Sequence, residues 1–534
     1  MIKFLPWLLV VASMLILPKS FAQETRLLRQ PSISDSHLAF IYAGDIWLTD
    51  LLGQNSKRLT STAAIESHPH FSPDGQSLAF SSNRSGTNSV YIMSSSGGQA
   101  TRLSWHAAGG SVRGWTPDGQ KVLFASGRDT APRPINRLWT ISVDGGPAEL
   151  VLNQWASNGA YSGDGKQIVI DRMSRWDGEW RNYRGGQNTP LVVVDLVNLE
   201  ETMINSDSTI DIEPIWVNDT VYFLSDRDWV SNIWSYSVKR KRLKQITEFK
   251  NADIKQLGTN GKQLVFEQNG DLFTFDLASE ELQKISITVT GDFPWADTRW
   301  QNVGDKASSA SLSPTGKRAI MASRGEIFTV PVEYGSVRNL TQSSDAADRA
   351  PIWSPKGDQV AWFSDKGEQG YQLQLQSQDG LSELQTIAIG ESKMAWEPTW
   401  SPDGKYIAFV DDDVRIRLLE LATENIITVD TGGTNLERGR NDLAWSPDSN
   451  ALAYVKTANN GFQQIKIYAV DTKKTHFLTN KFANSLSPAW DQNSKYLYFL
   501  ASTDYGLNSG WANTSSIGSD AEYSPYIVSL LADE

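Results

Sequence analysis

A recurring turn constrains this chain more than any other feature. "FSPDG" at Phe71 returns as "WSPKG" at Trp353, "WSPDG" at Trp400 and "WSPD" at Trp445. Marking each recurrence by the bulky residue before the turn gives Ile33, Phe71, Trp115, Tyr161, Trp216 and Leu257. A second series follows: Leu312, Trp353, Trp400, Trp445 and Trp490. Most intervals are 38 to 47 residues and two are 55. A period in this range outranks local propensity, because each unit must stack on its neighbours to bury a core.

One unit reads in full from Trp396 to Asp430. Pro398–Trp400 is extended, Ser401-Pro402-Asp403-Gly404 is a turn, and Tyr406–Val410 is a second strand. Arg415–Leu421 is a third strand and Ile426–Val429 a fourth. Proline pre-sets φ, aspartate bonds its own backbone and glycine accepts positive φ, so the turn chemistry is complete. Four short antiparallel strands per period predict a β-propeller blade. No helical period appears beyond the first residues. The expected fold is all-β, with two consecutive propellers. Six units fall in 23–290, residues 291–305 are a linker, and five recognisable units fall in 306–534.

The turn repeat also settles how to read His68-Pro69-His70. Alternation along a strand would put both rings on one face, as a metal could use. But His68 holds the slot of Glu213 and Glu397, and no third ligand is nominated, so the slot is structural. No metal or cofactor is expected.

Net charge is −12 with 61 acidic against 49 basic residues, which argues against nucleic acid as a partner. There is no cysteine, hence no thiolate nucleophile and no disulfide framework. Lys3, the apolar run Phe4–Leu17 and Ser20-Phe21-Ala22 have the pattern of a cleavable secretion signal over 1–22. The run is short for a membrane span. The expected location is the periplasm, with no membrane span after cleavage.

Several stretches together carry a family likeness. "RWDGEWRNYRGGQNTPLVVVD" (Arg175–Asp195) sits in the fourth unit. "AFIYAGDIWLTDL" (Ala39–Leu51), "YFLSDRDWVSNIWSYSV" (Tyr222–Val238), "ASRGEIFTV" (Ala322–Val330) and "SPAWDQNSKYLYFLA" (Ser487–Ala501) flank it in order. In this order the chain resembles the tricorn protease family over nearly all of its length after residue 22. The resemblance implies a six-bladed propeller, then a seven-bladed one of which five blades are recognisable. It implies gating or channelling of oligopeptides towards a catalytic part with a Ser–His-based site, a part expected to lie outside this chain. It also implies a serine peptidase, secreted here by the pattern over 1–22 that the family's cytosolic archaeal members lack, with oligopeptides as partners, a catalytic domain or second chain, and homo-oligomerisation of the full-length protein. Family members carry paired arginines in the loop before the third blade for a peptide's terminal carboxylate. The matching stretch "SWHAAGGSVRGW" has Arg113 alone, which is the candidate substrate-binding residue. A stand-alone periplasmic propeller that binds a protein, as in the Tol system, is the alternative.

No catalytic residue is nominated. Gly-x-Ser-x-Gly, a phosphate loop and His-Glu-x-x-His are all missing from the string. Asp411-Asp412-Asp413 reads as a solvated turn, and Lys239–Lys244 ("KRKRLK") as an exposed hairpin that discourages edge pairing.

Overall fold

The structure is a computed structural model. It describes residues 24–530 apart from 131–134, 173–181, 186–187, 189, 205–207, 294–299, 344, 368–369, 433–440 and 505–520. The secretion signal expected over 1–22 lies outside the described residues. Two compact units divide the chain, Met1–Ala296 and Asp297–Glu534.

In the first unit, residues 29–285 form six four-stranded antiparallel sheets, each pairing its strands in chain order. The first strands are Arg29–Ile33, Glu66–Phe71, Ser111–Trp115, Asn158–Tyr161, Asp211–Val217 and Ile254–Thr259. Each packs on the first strand of the next sheet, and the sixth packs back on the first. The ring is therefore closed. The closure is laced by backbone: Thr25 N–H donates to Ile287 O at 2.9 Å and Leu28 N–H to Gly270 O at 3.0 Å. Leu28, Ile33, Phe40 and Trp47 share one buried cluster with Val265, Leu272, Ile285 and Ile287, which ties the sixth sheet to the first.

The turn motif does what its chemistry implies. At Ser401–Gly404, Ser401 Oγ donates to Asp403 Oδ1 at 2.7 Å and accepts the Tyr406 N–H at 2.9 Å. Asp403 Oδ1 also takes the Lys405 N–H, and Gly404 N–H closes on Ser401 O. Gly404 stands at φ 78°, in the left-handed region. In the Trp445 unit a serine, Ser449, holds that place at φ 62°. A side chain there is strained, so Gly404→Ala is expected to destabilise the second unit by about 1 kcal/mol; Ser449 offsets its strain by accepting the Asp403 N–H at 2.9 Å. Thermal unfolding of the Gly404→Ala variant checks this.

The bulky residue before the turn has its own reason. The Trp115 indole N–H donates to His70 O (3.0 Å), Trp353 to Ser311 O (3.2 Å) and Trp490 to Ala444 O (3.0 Å). Each carbonyl belongs to the first strand of the preceding sheet. Tryptophan thus fills the gap between neighbouring sheets and meets a carbonyl left over between them. The second strands supply a buried aromatic at a matching place: Phe40, Phe80, Phe124, Phe223, Phe266, Phe363, Phe409 and Tyr454 are all fully buried. Full burial of such a ring contributes about 1.5–3 kcal/mol.

In the second unit, four four-stranded sheets and one three-stranded sheet span 307–529 among the described residues. Their first strands, beginning at Ala307, Arg349, Ala395, Ala444 and Asn484, pack in series. The two ends of the series keep apolar side chains in water. Leu312, Val332 and Tyr334 are exposed at one end, and Tyr498, Leu500, Tyr526 and Ile527 at the other. Exposed sheet faces of this kind drive association. Residues 306–534 made alone are expected to self-associate, while 23–305 runs as a monomer. Sedimentation of the two pieces decides; a monodisperse, cooperatively melting 306–534 monomer contradicts the expectation.

One sequence expectation needs correction. Asp411 is not in a solvated turn. It is fully buried at a strand end, where Ser392 Oγ donates to it (2.7 Å) and Arg415 and Arg417 pair with it at 2.8 and 3.3 Å. Asp412 and Asp413 of that triplet remain exposed, in the turn that follows the strand. A short 3-10 turn, Gly304–Lys306, stands at the end of the stretch 291–305. Of the basic run, residues 239–241 lie in the exposed turn between the third and fourth strands of the fifth sheet and residues 242–244 begin the fourth strand, with Lys239 on Asp219 (2.7 Å) and Lys244 on Glu280 (2.6 Å).

Candidate functional site: a polar cavity on the axis of the first ring

Five of the six first strands of this ring break register with their neighbour by a bulge. The breaks fall between Arg29 and Ser32, Ser67 and His70, Val112 and Gly114, Ile212 and Ile215, and Lys255 and Leu257. Gln30, His68, Glu213 and Gln256 occupy left-handed backbone there, with φ between 50° and 54°. A bulge re-aims the extra side chain, and here it aims those of His68, Arg113, Glu213 and Gln256 into a common space. The fourth first strand, Asn158–Tyr161, pairs without a break.

Side chains fasten three of these bulges to the sheet before them. Gln30 Oε1 accepts the His68 N–H at 2.8 Å, Asp171 Oδ2 accepts the Glu213 N–H at 2.9 Å, and Glu267 Oε2 accepts the Gln30 N–H at 3.2 Å. Asp171 also receives the Asn158 N–H and Nδ2 at 3.0 and 2.9 Å. Gln256 Nε2 reaches Glu213 Oε1 at 3.3 Å. A string of polar side chains thus stitches neighbouring first strands around the axis.

The space they line is a cavity of about 460 Å³. His68, His70, Arg113, Asn158, Glu213 and Gln256 lie on its wall, and the turns carrying Asp35 and Asp74 lie at its mouth. Arg113 is the one Lys or Arg among the lining residues. Its Nε donates to Ser157 O at 2.8 Å, and the fields of Glu213 and Asp171 support its charge against burial. Burial and the neighbouring guanidinium push His70 down to about 4, and His68 also well below the usual imidazole range. Both rings are therefore neutral near pH 7. Burial raises Glu213, which Arg113 opposes, and raises Asp171 to about 7 despite its three N–H donors. The wall thus combines one guanidinium, carboxyl groups, neutral imidazoles and amides. Such a surface suits a main chain with alternating donors and acceptors.

The sequence placed Arg113 in a loop before the third blade. It instead lies within the strand Ser111–Trp115, on the cavity wall, because the bulge turns it inward. His68 and Glu213, paired by sequence slot, do share a backbone conformation and a cavity. Among the described residues no group of three or more His, Cys, Asp or Glu side chains is placed to hold a metal. Gln256 joins the wall, and Asp171 the bonds that support it, without a sequence motif to mark them. Gln256 lies one residue before Leu257, whereas His68 and Glu213 lie three before Phe71 and Trp216, so the spacing that pairs those two does not point to it. Asp171, at the end of a second strand, falls outside that spacing too.

Of the Arg175–Asp195 stretch, Met173–Arg181 and part of the glycine pair lie outside the described residues. Arg184 is placed: it pairs with Asp226 at 2.8 Å and stacks on Trp229 at 4.6 Å, which anchors the insert on the fifth sheet.

Comparison with known proteins agrees with this architecture. Residues 25–281 match the family described as the tricorn protease N-terminal beta propeller domain, and 307–533 match the tricorn protease second beta propeller domain. A tricorn protease homolog of Saccharolobus solfataricus is 25% identical over 477 residues, which cover 88% of this chain and 43% of the relative. Tricorn protease homolog 1 of Streptomyces coelicolor is 27% identical over 493 residues, 90% of this chain and 45% of the relative. The crystal structure of the tricorn protease superposes with a TM-score of 0.58 at 20% identity, covering 95% of this chain and 50% of that one. The chain thus spans less than half the length of these curated relatives. With both propeller matches lying in register with the observed sheets, the chain belongs to the tricorn protease family and carries its two propeller domains.

Proposed function

We propose that the two propellers admit and select oligopeptides for a tricorn-type serine peptidase, with cleavage on a catalytic domain or second chain. The observation that carries this reading is the polar axial cavity of the first ring, into which neighbouring bulges turn His68, Arg113, Glu213 and Gln256. An extended peptide has alternating amide donors and acceptors that this wall can meet, and Arg113 offers a fork for a carbonyl or carboxylate. The neutral imidazoles bond without placing further charge in the path. The pattern of Lys3, Phe4–Leu17 and Ala22 fits delivery to the periplasm.

Binding of fluorescent peptides of six to ten residues to the whole chain tests the reading. Arg113→Gln and Glu213→Gln are each expected to weaken binding by about tenfold, the worth of a hydrogen bond to a charged group. Unchanged affinity in both variants, or no binding to the wild-type chain, overturns it.

A further inference from the structure

Three sheets of the first ring hold an arginine in the same setting. Arg84, Arg128 and Arg227 each lie two residues beyond the second strand's last serine, Ser82, Ser126 and Ser225. Each guanidinium stacks on two rings of its sheet. Arg84 lies 5.3 and 4.9 Å from Phe80 and Tyr91, Arg128 lies 4.9 and 5.3 Å from Phe124 and Trp139, and Arg227 lies 5.5 and 5.3 Å from Phe223 and Trp234. In two of the three sheets a carboxylate completes the setting. Glu66 pairs across the ladder with Ser82 and meets Arg84 at 2.7 Å; Asp211 pairs with Ser225 and meets Arg227 at 2.8 Å.

The third sheet lacks the acid. Its register, Ser111 opposite Ala125, puts Gly110 at the place of Glu66 and Asp211. The chain cannot supply an acid from this position, because a Cβ on Gly110 would stand 2.8 Å from the Phe124 ring. Arg128 is 8% exposed, and its Nε reaches only Ser126 Oγ, at 3.3 Å. Its Nη2 is buried with no partner, and no carboxylate pairs with it among the described residues. Leaving a buried guanidinium nitrogen unmatched is costly. The setting that its sister sheets complete from within is open here.

We propose that Arg128 receives a carboxylate from outside the chain, the side chain of an Asp or Glu in a bound acidic peptide segment. The occupant follows from the sister sheets, which meet the same guanidinium, serine and ring pair with an acidic side chain. The surroundings suit a peptide. Trp105, 75% exposed with Arg102 stacked on it at 4.3 Å, leads into the His106–Gly110 turn, whose Gly109 carbonyl accepts from Ser126 Oγ. On the other side Trp155 is 55% exposed, beside the Ala156 N–H that bonds Asn136 O. These rings offer apolar platforms for residues flanking the acid.

The test uses the whole chain and peptides of six residues, acetylated and amidated, with a central Glu or Gln between leucines. Fluorescence anisotropy at low salt is expected to show the Glu peptide binding at least about tenfold tighter than the Gln peptide. Arg128→Gln is expected to shrink that gap to within about twofold, while Arg84→Gln, whose guanidinium already has Glu66, leaves it intact. No Glu preference in the wild type overturns the proposal, as does a preference that survives Arg128→Gln. Equal binding by an uncapped alanine peptide also overturns it, because it would mean a terminal carboxylate is read instead. If Arg128→Gln does not fold, photo-crosslinking of the Glu peptide to the wild type decides. Labels on 105–110 or 126–130 support the site, and labels elsewhere refute it.

Discussion

Arg227→Ala is expected to cost the first ring about 3–5 kcal/mol, the range for breaking a buried ion pair by removing one partner. Arg227 meets both oxygens of Asp211, at 2.8 and 2.9 Å, and bonds Ser225 Oγ. Both side chains are almost wholly buried, at 9% and 3% exposure. The alanine variant leaves Asp211 in a place where burial already raises its pKa. It also strips the cation from Phe223 and Trp234. Replacing both partners, Arg227→Met with Asp211→Leu, is expected to recover much of the loss, because no uncompensated charge then remains. The unfolding temperatures of the single and double variants report both. A single variant that melts with the wild type contradicts the assignment of this pair as a buried brace.

The second large effect depends on pH. Burial lifts the Asp171 carboxyl to about 7 in the folded ring, against 3.8 for an ordinary aspartate. Between these values the folded ring holds a proton that the unfolded chain has released, so stability falls as pH rises from about 4 to 7 and levels off above. An elevation of this size corresponds to about 4 kcal/mol. Glu213 and Glu267 are raised as well and contribute slopes of the same sign. The informative quantity is therefore a difference. Asp171→Asn carries its own fixed penalty, since its amide cannot accept all three N–H groups, but its melting temperature should depend less on pH than the wild type's. Parallel pH profiles contradict the assignment.

The fold was largely readable from the sequence because its signals are local. Pro402-Asp403-Gly404 specifies a turn within a few residues, and Trp400 and its counterparts mark where one sheet meets the next. The unit boundaries followed from those alone. The site was harder. Arg113 could be singled out, but its placement on a cavity wall depends on a bulge, which is a relation between two strands that a linear pattern does not display. Asp171 depends on the ring closing around it. Asp411 looked like one of three solvated acids, and only the two arginines that fold onto it, Arg415 and Arg417, explain its burial. The open setting of Arg128 becomes visible only when Gly110 is aligned with Glu66 and Asp211 through strand register.

The central claim is that the axial cavity of the first ring takes peptide. Its most direct test is a peptide of eight residues carrying a benzophenone at its midpoint, photolysed with the whole chain and mapped by mass spectrometry. The account predicts labels concentrated on the first strands of this ring, at His68–Phe71, Arg113–Trp115 and Glu213–Trp216, and lost on competition with unlabelled peptide. Labels confined to the outer strands, or spread evenly over the surface and indifferent to competitor, would contradict it.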